Sequence, residues 1–197
     1  MKVLVIASHP NISESKINKI WLTKLKQNKN ITLRFLDEVY KTYNDIDIKK
    51  EQKFLKEADR IVFQYPFYWY NMPSLMREYM DKVLEFGWCY GPGGEALKEK
   101  EFMCAISLGA PEYSFCGGGY NNFTLTEFLR PMQGTAQFLQ MDYLPAFALY
   151  NAPKLSPSEI EKSADDYANN IFREDLNHKE VFAALKNKDN KASFSDL

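Results

Sequence analysis

Apolar residues run without interruption through several short segments of the chain, and the stretches between them carry apolar residues at helical spacing. Short uninterrupted apolar runs are typical of strands buried on both faces of a parallel sheet. One further segment alternates apolar and polar residues, as an edge strand does. Together these patterns predict five strands, at residues 3–7, 32–36, 60–65, 102–108 and 143–150.

The segments between and after these strands are predicted to be helical. Pro73 is expected in the first turn of its helix, where its missing N–H costs nothing. Pro131 is expected to kink or break another helix, and Ser156 with Glu159 three residues later is a capping-box signature. The predicted helices cover residues 17–26, 51–59, 73–86, 124–139 and 156–173, with a weaker one at 179–186.

This alternation of strand and helix predicts a doubly wound α/β fold, with a five-stranded parallel sheet and helices on both faces. Residues 1–197 are expected to form a single domain, with a core at 1–173 and a polar C-terminal extension at 174–197 that ends in a frayed tail. In such a fold the ligand site lies beyond the carboxyl ends of the strands, at the switch point of the strand order. The loops after strands one, three and four are therefore the places to look for chemistry.

Composition narrows the class of protein. The chain has 25 Lys and Arg against 26 Asp and Glu, a formal net charge of −1, so it is not a polycation that coats nucleic acid or anionic membranes. Three cysteines without a C-x-x-C pair, and only two histidines, argue against a disulfide framework and against a zinc site. No apolar stretch is long enough to span a membrane and the N-terminus lacks a signal-peptide pattern, so a cytoplasmic location is expected.

The loop after strand one reads SHPNISESKIN and opens a helix. The hydroxyls of Ser13 and Ser15, the Asn18 amide and free N–H groups at the helix start form a natural phosphate cradle. His9 and Lys16 could add positive charge. The alternative is that one of the serines only caps the helix.

The loop after strand three places four aromatic residues in succession, Phe67 to Tyr70. A core absorbs one or two of these, so some are expected at the surface, where large exposed aromatic side chains usually face a ligand or a partner. Aromatic walls with backbone amides suit a flat heteroaromatic ring. The alternative is an aromatic corner with only a structural role.

The loop after strand four begins Ser107-Leu108-Gly109-Ala110 and continues to residue 122 through three consecutive glycines. Small residues let the backbone approach a ligand closely and direct N–H groups at it. Tyr113 and Tyr120, in the same loop, are candidate hydroxyl donors. The alternative is a flexible lid without chemistry.

Together, three segments resemble the flavodoxin-like NAD(P)H:quinone oxidoreductase family, including the ancillary reductases of glutathione-gated potassium efflux systems. The segments lie at residues 8–18, 64–94 and 117–147, and the resemblance extends over about residues 1–173. The most specific of them reads QYPFYWYNMPSLMREYMDKVLEFGWCYGPGG. The resemblance implies the flavodoxin-like strand order 2-1-3-4-5.

In that family the first loop holds the flavin phosphate, the aromatic loop lines the isoalloxazine ring, and the loop after strand four contacts the pyrimidine end. The last of these usually reads T-T-G-G, so the present loop keeps only the first hydroxyl and one glycine, together with its backbone donors. No metal is implied. Carried over, the resemblance implies cofactor binding by His9, Ser15, Lys16, Ile17, Asn18, Phe67, Tyr68, Trp69, Tyr70, Ser107, Leu108, Gly109 and Ala110.

The activity implied is two-electron reduction of quinones or similar acceptors by NAD(P)H, with hydride passing through flavin N5 in ping-pong order. FMN is the expected cofactor and FAD the alternative. Tyr120, or alternatively Tyr113, is the expected catalytic donor to the quinone oxygen. A homodimer with active sites completed across the interface is expected, because family members are commonly so, and no nucleic-acid partner is expected.

Three alternatives remain at this point. The chain could be a regulatory flavoprotein associated peripherally with a potassium efflux transporter, a flavodoxin-type electron carrier, or a flavin-free binding module. Flavodoxin carriers are usually strongly acidic, so the net charge of −1 disfavours the second.

Overall fold

A computed structural model of the chain describes residues 1–187, so the predicted frayed tail at 188–197 lies outside the described residues. The strands form one sheet in the order β2-β1-β3-β4-β5, with β6 also paired to β4, and every pairing is parallel. The doubly wound parallel fold and its strand order are thereby confirmed. The strands are β1 Val3–Ala7, β2 Ile31–Phe35, β3 Arg60–Pro66, β4 Glu101–Ser107, β5 Asp142–Tyr143 and β6 Phe147–Leu149.

The fifth strand was expected to run unbroken from 143 to 150, and this prediction is wrong. Tyr143 pairs with Phe102 and Phe147 pairs with Ala105, so residues 144–146 lie opposite only two residues of β4. The extra residue makes this segment a β-bulge. The segment contains Pro145, which has no backbone N–H to donate to the sheet. One edge of the sheet is therefore made of two short strands.

Helices cover both faces of the sheet. Leu4 and Ile6 of β1 join the larger core under α3, α4 and α6, while Val3 and Val5 point to the other face, under α1 and α7. The helices are α1 Ile17–Leu25, α2 Leu36–Val39, α3 Ile48–Glu57, α4 Ser74–Val83, α5 Leu125–Phe128, α6 Arg130–Phe138, α7 Pro157–Asn170 and α8 His178–Asn187. No helix among residues 1–187 is long and apolar enough to cross a membrane.

Most helix predictions are confirmed within a few residues. Helix α4 starts just after Pro73, which is its N-cap, and it ends at Val83, three residues before the predicted end. The expected break at Pro131 separates α5 from α6. Ser156 and Glu159 form the predicted capping box of α7. The short α2 lies in a segment whose sequence shows no clear period.

The chain beyond residue 173 is anchored to the amino edge of the sheet. Arg60, fully buried at the start of β3, donates hydrogen bonds to the carboxylate of Glu101 and to the backbone carbonyls of Ile171 and Arg173, each at 2.8 Å. The side chain of Asn177 is buried and donates to Glu101 at 3.0 Å. The start of the polar extension is therefore part of the packed structure.

Candidate functional site

A cleft of about 920 Å³ opens at the carboxyl edge of the sheet. The loops after β1, β3 and β4 form its walls, and the loop after β6 closes one side. The structure brings together all of the residues that the resemblance implied for cofactor binding. They are His9, Ser15, Lys16, Ile17, Asn18, Phe67, Tyr68, Trp69, Tyr70, Ser107, Leu108, Gly109 and Ala110.

The loop after β1 presents the N-terminus of α1 to the cleft. The hydroxyl of Ser15 accepts a hydrogen bond from the Asn18 backbone N–H at 3.1 Å. Within the described chain, the amides of Lys16 and Ile17 donate to no acceptor. Free amides at a helix start favour a bound anion such as a phosphate. Ser13 is instead hydrogen-bonded to Asn11 and lines a neighbouring groove, outside this cleft.

His9 is buried between the first loop and the aromatic loop. Its Nδ1 accepts from the Asn11 backbone N–H at 3.1 Å, so in the neutral ring the proton is on Nε2, which lies 3.5 Å from the Tyr68 hydroxyl. Burial lowers the pKa of His9, and the nearby Asp37 carboxylate offsets this only in part. The lowered pKa favours the neutral form of His9, contrary to the expectation that it adds positive charge.

The aromatic loop is a tight hairpin. Tyr68 and Asn71 exchange two backbone hydrogen bonds, at 3.1 and 3.0 Å, across the two residues Trp69 and Tyr70. Both of these residues have positive φ angles, 49° and 62°. This is the geometry of a type I′ turn, which normally carries Asn or Gly, and it costs a non-glycine residue about 1–2 kcal/mol. Strain of this kind is frequent at ligand sites.

The two strained residues have different surroundings. The Tyr70 ring stacks on Phe128 with a centroid distance of 4.6 Å, and its hydroxyl donates to Asn121 at 3.2 Å. Trp69, at the tip, is 93% exposed. An aromatic ring held in a strained turn without protein contacts is available to a ligand or a partner.

The loop after β4 is fixed by the loop after β6. The Leu108 amide donates to the Leu149 carbonyl at 2.8 Å, and the Ala152 amide donates back to Leu108 at 2.9 Å. The next two amides, of Gly109 and Ala110, donate to no group in the described part of the chain. This loop therefore lines the cleft with two residues whose backbone N–H groups are free.

Asn18 connects the first and third loops below the cleft. Its side-chain amide donates to the Ser107 hydroxyl at 2.9 Å, and its oxygen accepts from Gln64 at 3.4 Å. All three side chains are buried. The amide that the sequence predicted as a phosphate ligand is therefore bonded within the protein.

The two predicted catalytic tyrosines do not line the cleft of their own chain. Tyr113 and Tyr120 are 76% and 69% exposed, on the outer side of the loop at 109–122. Their catalytic role therefore stays a prediction.

Sequence reasoning missed several residues that line the cleft. Ala152 and Pro153 belong to the loop after the last strand, which was passed over although it emerges at the same edge of the sheet. The remaining ones sit beside predicted residues, and no pattern in the sequence marks them. They are Asn11, Glu14, Pro66, Phe115 and Asn121. Among residues 1–187, no group of three or more His, Cys, Asp or Glu residues is placed to hold a metal ion.

Curated proteins of known sequence resemble this chain over most of its length. The Bacillus subtilis protein named uncharacterized NAD(P)H oxidoreductase YdeQ is 44% identical over 181 residues, 91% of this chain and 90% of that protein. The glutathione-regulated potassium-efflux system ancillary protein KefG of Serratia proteamaculans is 36% identical, over 84% of this chain and 90% of its own length.

Solved structures agree with these relatives. General stress protein 14 of Treponema denticola, in complex with FMN, has a TM-score of 0.83 and 37% identity, covering 87% of this chain and 98% of that one. An NADPH-quinone reductase from P. pentosaceus has a TM-score of 0.80 and 28% identity, covering 88% and 99%. Residues 1–171 match the family described as flavodoxin-like fold. The chain therefore belongs to the flavodoxin-like family that its segments at 8–18, 64–94 and 117–147 predicted.

Proposed function

We propose that this chain is an FMN-dependent NAD(P)H oxidoreductase that reduces quinones or similar aromatic acceptors by two electrons. The observation that carries the proposal is the single cleft that combines free amides at the start of α1, an exposed aromatic hairpin and two free amides after β4. The amides at the start of α1 suit a phosphate, and the aromatic hairpin suits the face of a flat ring. The amides after β4 suit the electron-rich edge of such a ring. The names of the relatives, including an FMN complex, support the same reading.

Each part of the cleft has a defined task in this proposal. The amides of Lys16 and Ile17 bind the FMN phosphate, and the hairpin at 67–70 packs against the ring. The amides of Gly109 and Ala110 donate to the edge of the ring that gains negative charge on reduction. When bound, FMN would supply the two-electron hydride chemistry between NAD(P)H and the acceptor.

The two substrates are proposed to use the same open side of the cleft in turn. The exposed ring of Trp69 borders this side and offers one aromatic surface to a nicotinamide or a quinone. Steady-state kinetics with both substrates varied should then give parallel double-reciprocal lines. An intersecting pattern would show that both substrates bind at once.

We further propose a homodimer in which Tyr120 reaches the cleft of the second copy. Its high exposure and its position outside its own cleft support this arrangement. Y120F is expected to lower kcat with a quinone about 10- to 100-fold, because a donor to the quinone oxygen is lost, while FMN affinity stays unchanged. Y113F tests the alternative donor in the same assay. Unchanged turnover of Y120F would contradict the role of Tyr120.

The direct test of the main proposal is the visible spectrum of the purified protein, with mass identification of any released flavin. Titration with FMN and with FAD, followed by quenching of flavin fluorescence, should show tighter binding of FMN. NADH or NADPH oxidation should then depend on FMN and on a quinone. A colourless protein that takes up neither flavin would overturn the proposal.

A second candidate function is an ancillary subunit of a glutathione-regulated potassium efflux system, favoured by the 36% identity to KefG over most of both chains. In that role the flavoprotein would bind peripherally to a transporter and its reductase activity would be secondary. Co-purification with a potassium efflux transporter from native membranes would support it. Full quinone reductase activity without such co-purification would favour the enzyme.

A further inference from the structure

We propose that Asn18 is a positioning residue that makes the Ser107 hydroxyl a hydrogen-bond donor into the cleft, and that Gln64 sets the orientation of Asn18. The three side chains come from α1, β4 and β3 and meet below the cleft. Their exposed fractions are 3% for Asn18, 8% for Ser107 and 1% for Gln64. This inference rests on the proposed function, because the acceptor for Ser107 is an atom of bound FMN.

The direction of the hydrogen bonds follows from one backbone carbonyl. The side-chain nitrogen of Gln64 lies 3.4 Å from the backbone oxygen of Asn18, which can only accept, so this end of the Gln64 amide is the NH₂ group. The same nitrogen lies 3.4 Å from the side chain of Asn18, so the atom facing it is the Asn18 oxygen. The other end of the Asn18 amide is therefore NH₂.

That NH₂ group faces Ser107. It donates to the hydroxyl oxygen at 2.9 Å, so the hydroxyl acts as acceptor towards the protein. The hydroxyl hydrogen has no acceptor in the described part of the chain, and Ser107 borders the cleft. A buried hydroxyl without an acceptor is costly, and the open direction is the cleft. Ser107 thus joins the amides of Gly109 and Ala110 as a third donor on this wall.

A donor in this position favours a ligand with an acceptor atom there. FMN carries acceptor oxygens and ring nitrogens, and the acceptors on its ring become more electron-rich on reduction. A fixed donor facing such an atom stabilises the reduced form more than the oxidised form. If the Asn18 side-chain amide were reversed, its oxygen would face Ser107. The Ser107 hydroxyl would then donate to Asn18, and the cleft would lose a hydrogen-bond donor.

The test is a double-mutant cycle with N18D and S107A, read by FMN affinity and by the reduction potential of bound FMN. N18D keeps the side-chain shape and the bond from Gln64, but Ser107 must now donate to the new carboxylate. S107A is expected to weaken FMN about tenfold and to shift the potential to more negative values. N18D should lower FMN affinity about fivefold more in the wild-type background than in the S107A background.

N18D adds a negative charge in the wild-type and in the S107A background. The difference between its effects in the two backgrounds therefore does not contain the effect of the charge itself. S163A is the matched control: Ser163 is buried and accepts from Trp21 at 2.9 Å, far from the cleft. It should lower thermal stability and leave FMN affinity and potential unchanged. Equal effects of N18D in both backgrounds would overturn the role of Asn18.

Failure of the proposed function gives a different result. Wild-type protein that binds no FMN overturns the proposed function in the first titration. The contact itself is tested in flavin-free protein, where unfolding by urea should show that N18D and S107A are not additive. Additive effects there would overturn the hydrogen-bonded arrangement whether or not FMN binds.

Discussion

The two edges of the sheet differ in how their polar groups are hydrogen-bonded. At the amino edge, Arg60 is fully buried and each of its three side-chain nitrogens donates to a carboxylate or a backbone carbonyl. At the carboxyl edge, four backbone amides donate to nothing in the described chain, and the buried side-chain oxygens of Ser8 and Gln64 also lack partners. Unpaired buried polar groups such as these two side-chain oxygens are unfavourable. The first edge therefore contributes to stability, and the second is the edge of the proposed FMN site.

Positive φ angles occur at both edges, because Glu99 and Gln140, just before β4 and β5, are left-handed as well. The left-handed Trp69 and Tyr70 lie at the carboxyl edge, and an exposed aromatic ring there has no protein partner. No such hairpin stands at the start of β3 or β4, where Arg60 and Glu101 face each other in register. If the comparison is right, variants at the two edges will separate stability from ligand binding.

The largest effect is expected from R60L. It leaves the Glu101 carboxylate and the carbonyls of Ile171 and Arg173 without their donor, which should lower the free energy of unfolding by about 3–5 kcal/mol. FMN affinity of the folded protein should not change. Urea unfolding and flavin titration measure the two quantities.

Two further variants sharpen this result. R60L/E101L removes both charges and should recover part of the lost stability, because no buried charge is left unpaired. K162A breaks the exposed pair with Asp166 and should leave the unfolding free energy unchanged. A loss of FMN affinity in R60L would show that the two edges are coupled.

The second largest effect is expected from W69N, which should raise the free energy of unfolding and lower FMN affinity. W69N places a residue that tolerates positive φ at the hairpin tip, so the protein should gain about 1 kcal/mol. FMN affinity should fall about three- to tenfold, because the aromatic wall is lost. Gln140, which also has a positive φ but lies outside the cleft, provides the control. Q140N should raise the free energy of unfolding without changing FMN affinity. If W69N behaves in the same way, Trp69 does not contribute to FMN binding.

The smallest effect is a pH dependence of stability caused by His9. Its pKa is lowered in the folded protein from the ordinary value of 6.5, so below pH 6.5 the unfolded chain takes up a proton that the native state does not. Stability should therefore be complete above pH 6.5 and fall as the pH drops towards the folded pKa. H9N should flatten this part of the curve. H178N, at the exposed start of α8, should keep it, and an unchanged curve for H9N would contradict the assignment.

Much of the fold was predictable because local patterns and burial agree. The apolar run at 3–7 is a central strand buried on both faces, and Ser156 with Glu159 caps α7 as expected. The break of the last edge strand was not predicted, because the continuous apolar run at 143–150 hides the bulge around Pro145. An interrupted strand at the sheet edge still pairs on one side only, so the apolar pattern tolerates the extra residue.

In the candidate site too, some features were predictable from the sequence and others were not. The residues implied for the cofactor all line one cleft, because loops that follow neighbouring parallel strands emerge at the same edge. Tyr113 and Tyr120 were placed with them by sequence alone, but their side chains are exposed and do not line the cleft. Which way a 14-residue excursion from Gly109 to Asn122 folds depends on contacts such as that of Asn121 with Ser114, and no periodic pattern encodes these.

The sequence by itself determined the order of strands and helices, the edge where the cleft opens and the family to which the chain belongs, because these depend on periodic apolar patterns and on contiguous motifs. Only the tertiary structure decided how polar groups are used. It buried the His9 ring and lowered its pKa, bonded Asn18 to Ser107 and left Gly109 and Ala110 with free amides. Hydrogen-bond direction and burial depend on residues far apart in the chain, and for Asn18 and Ser107 the separation is 89 positions.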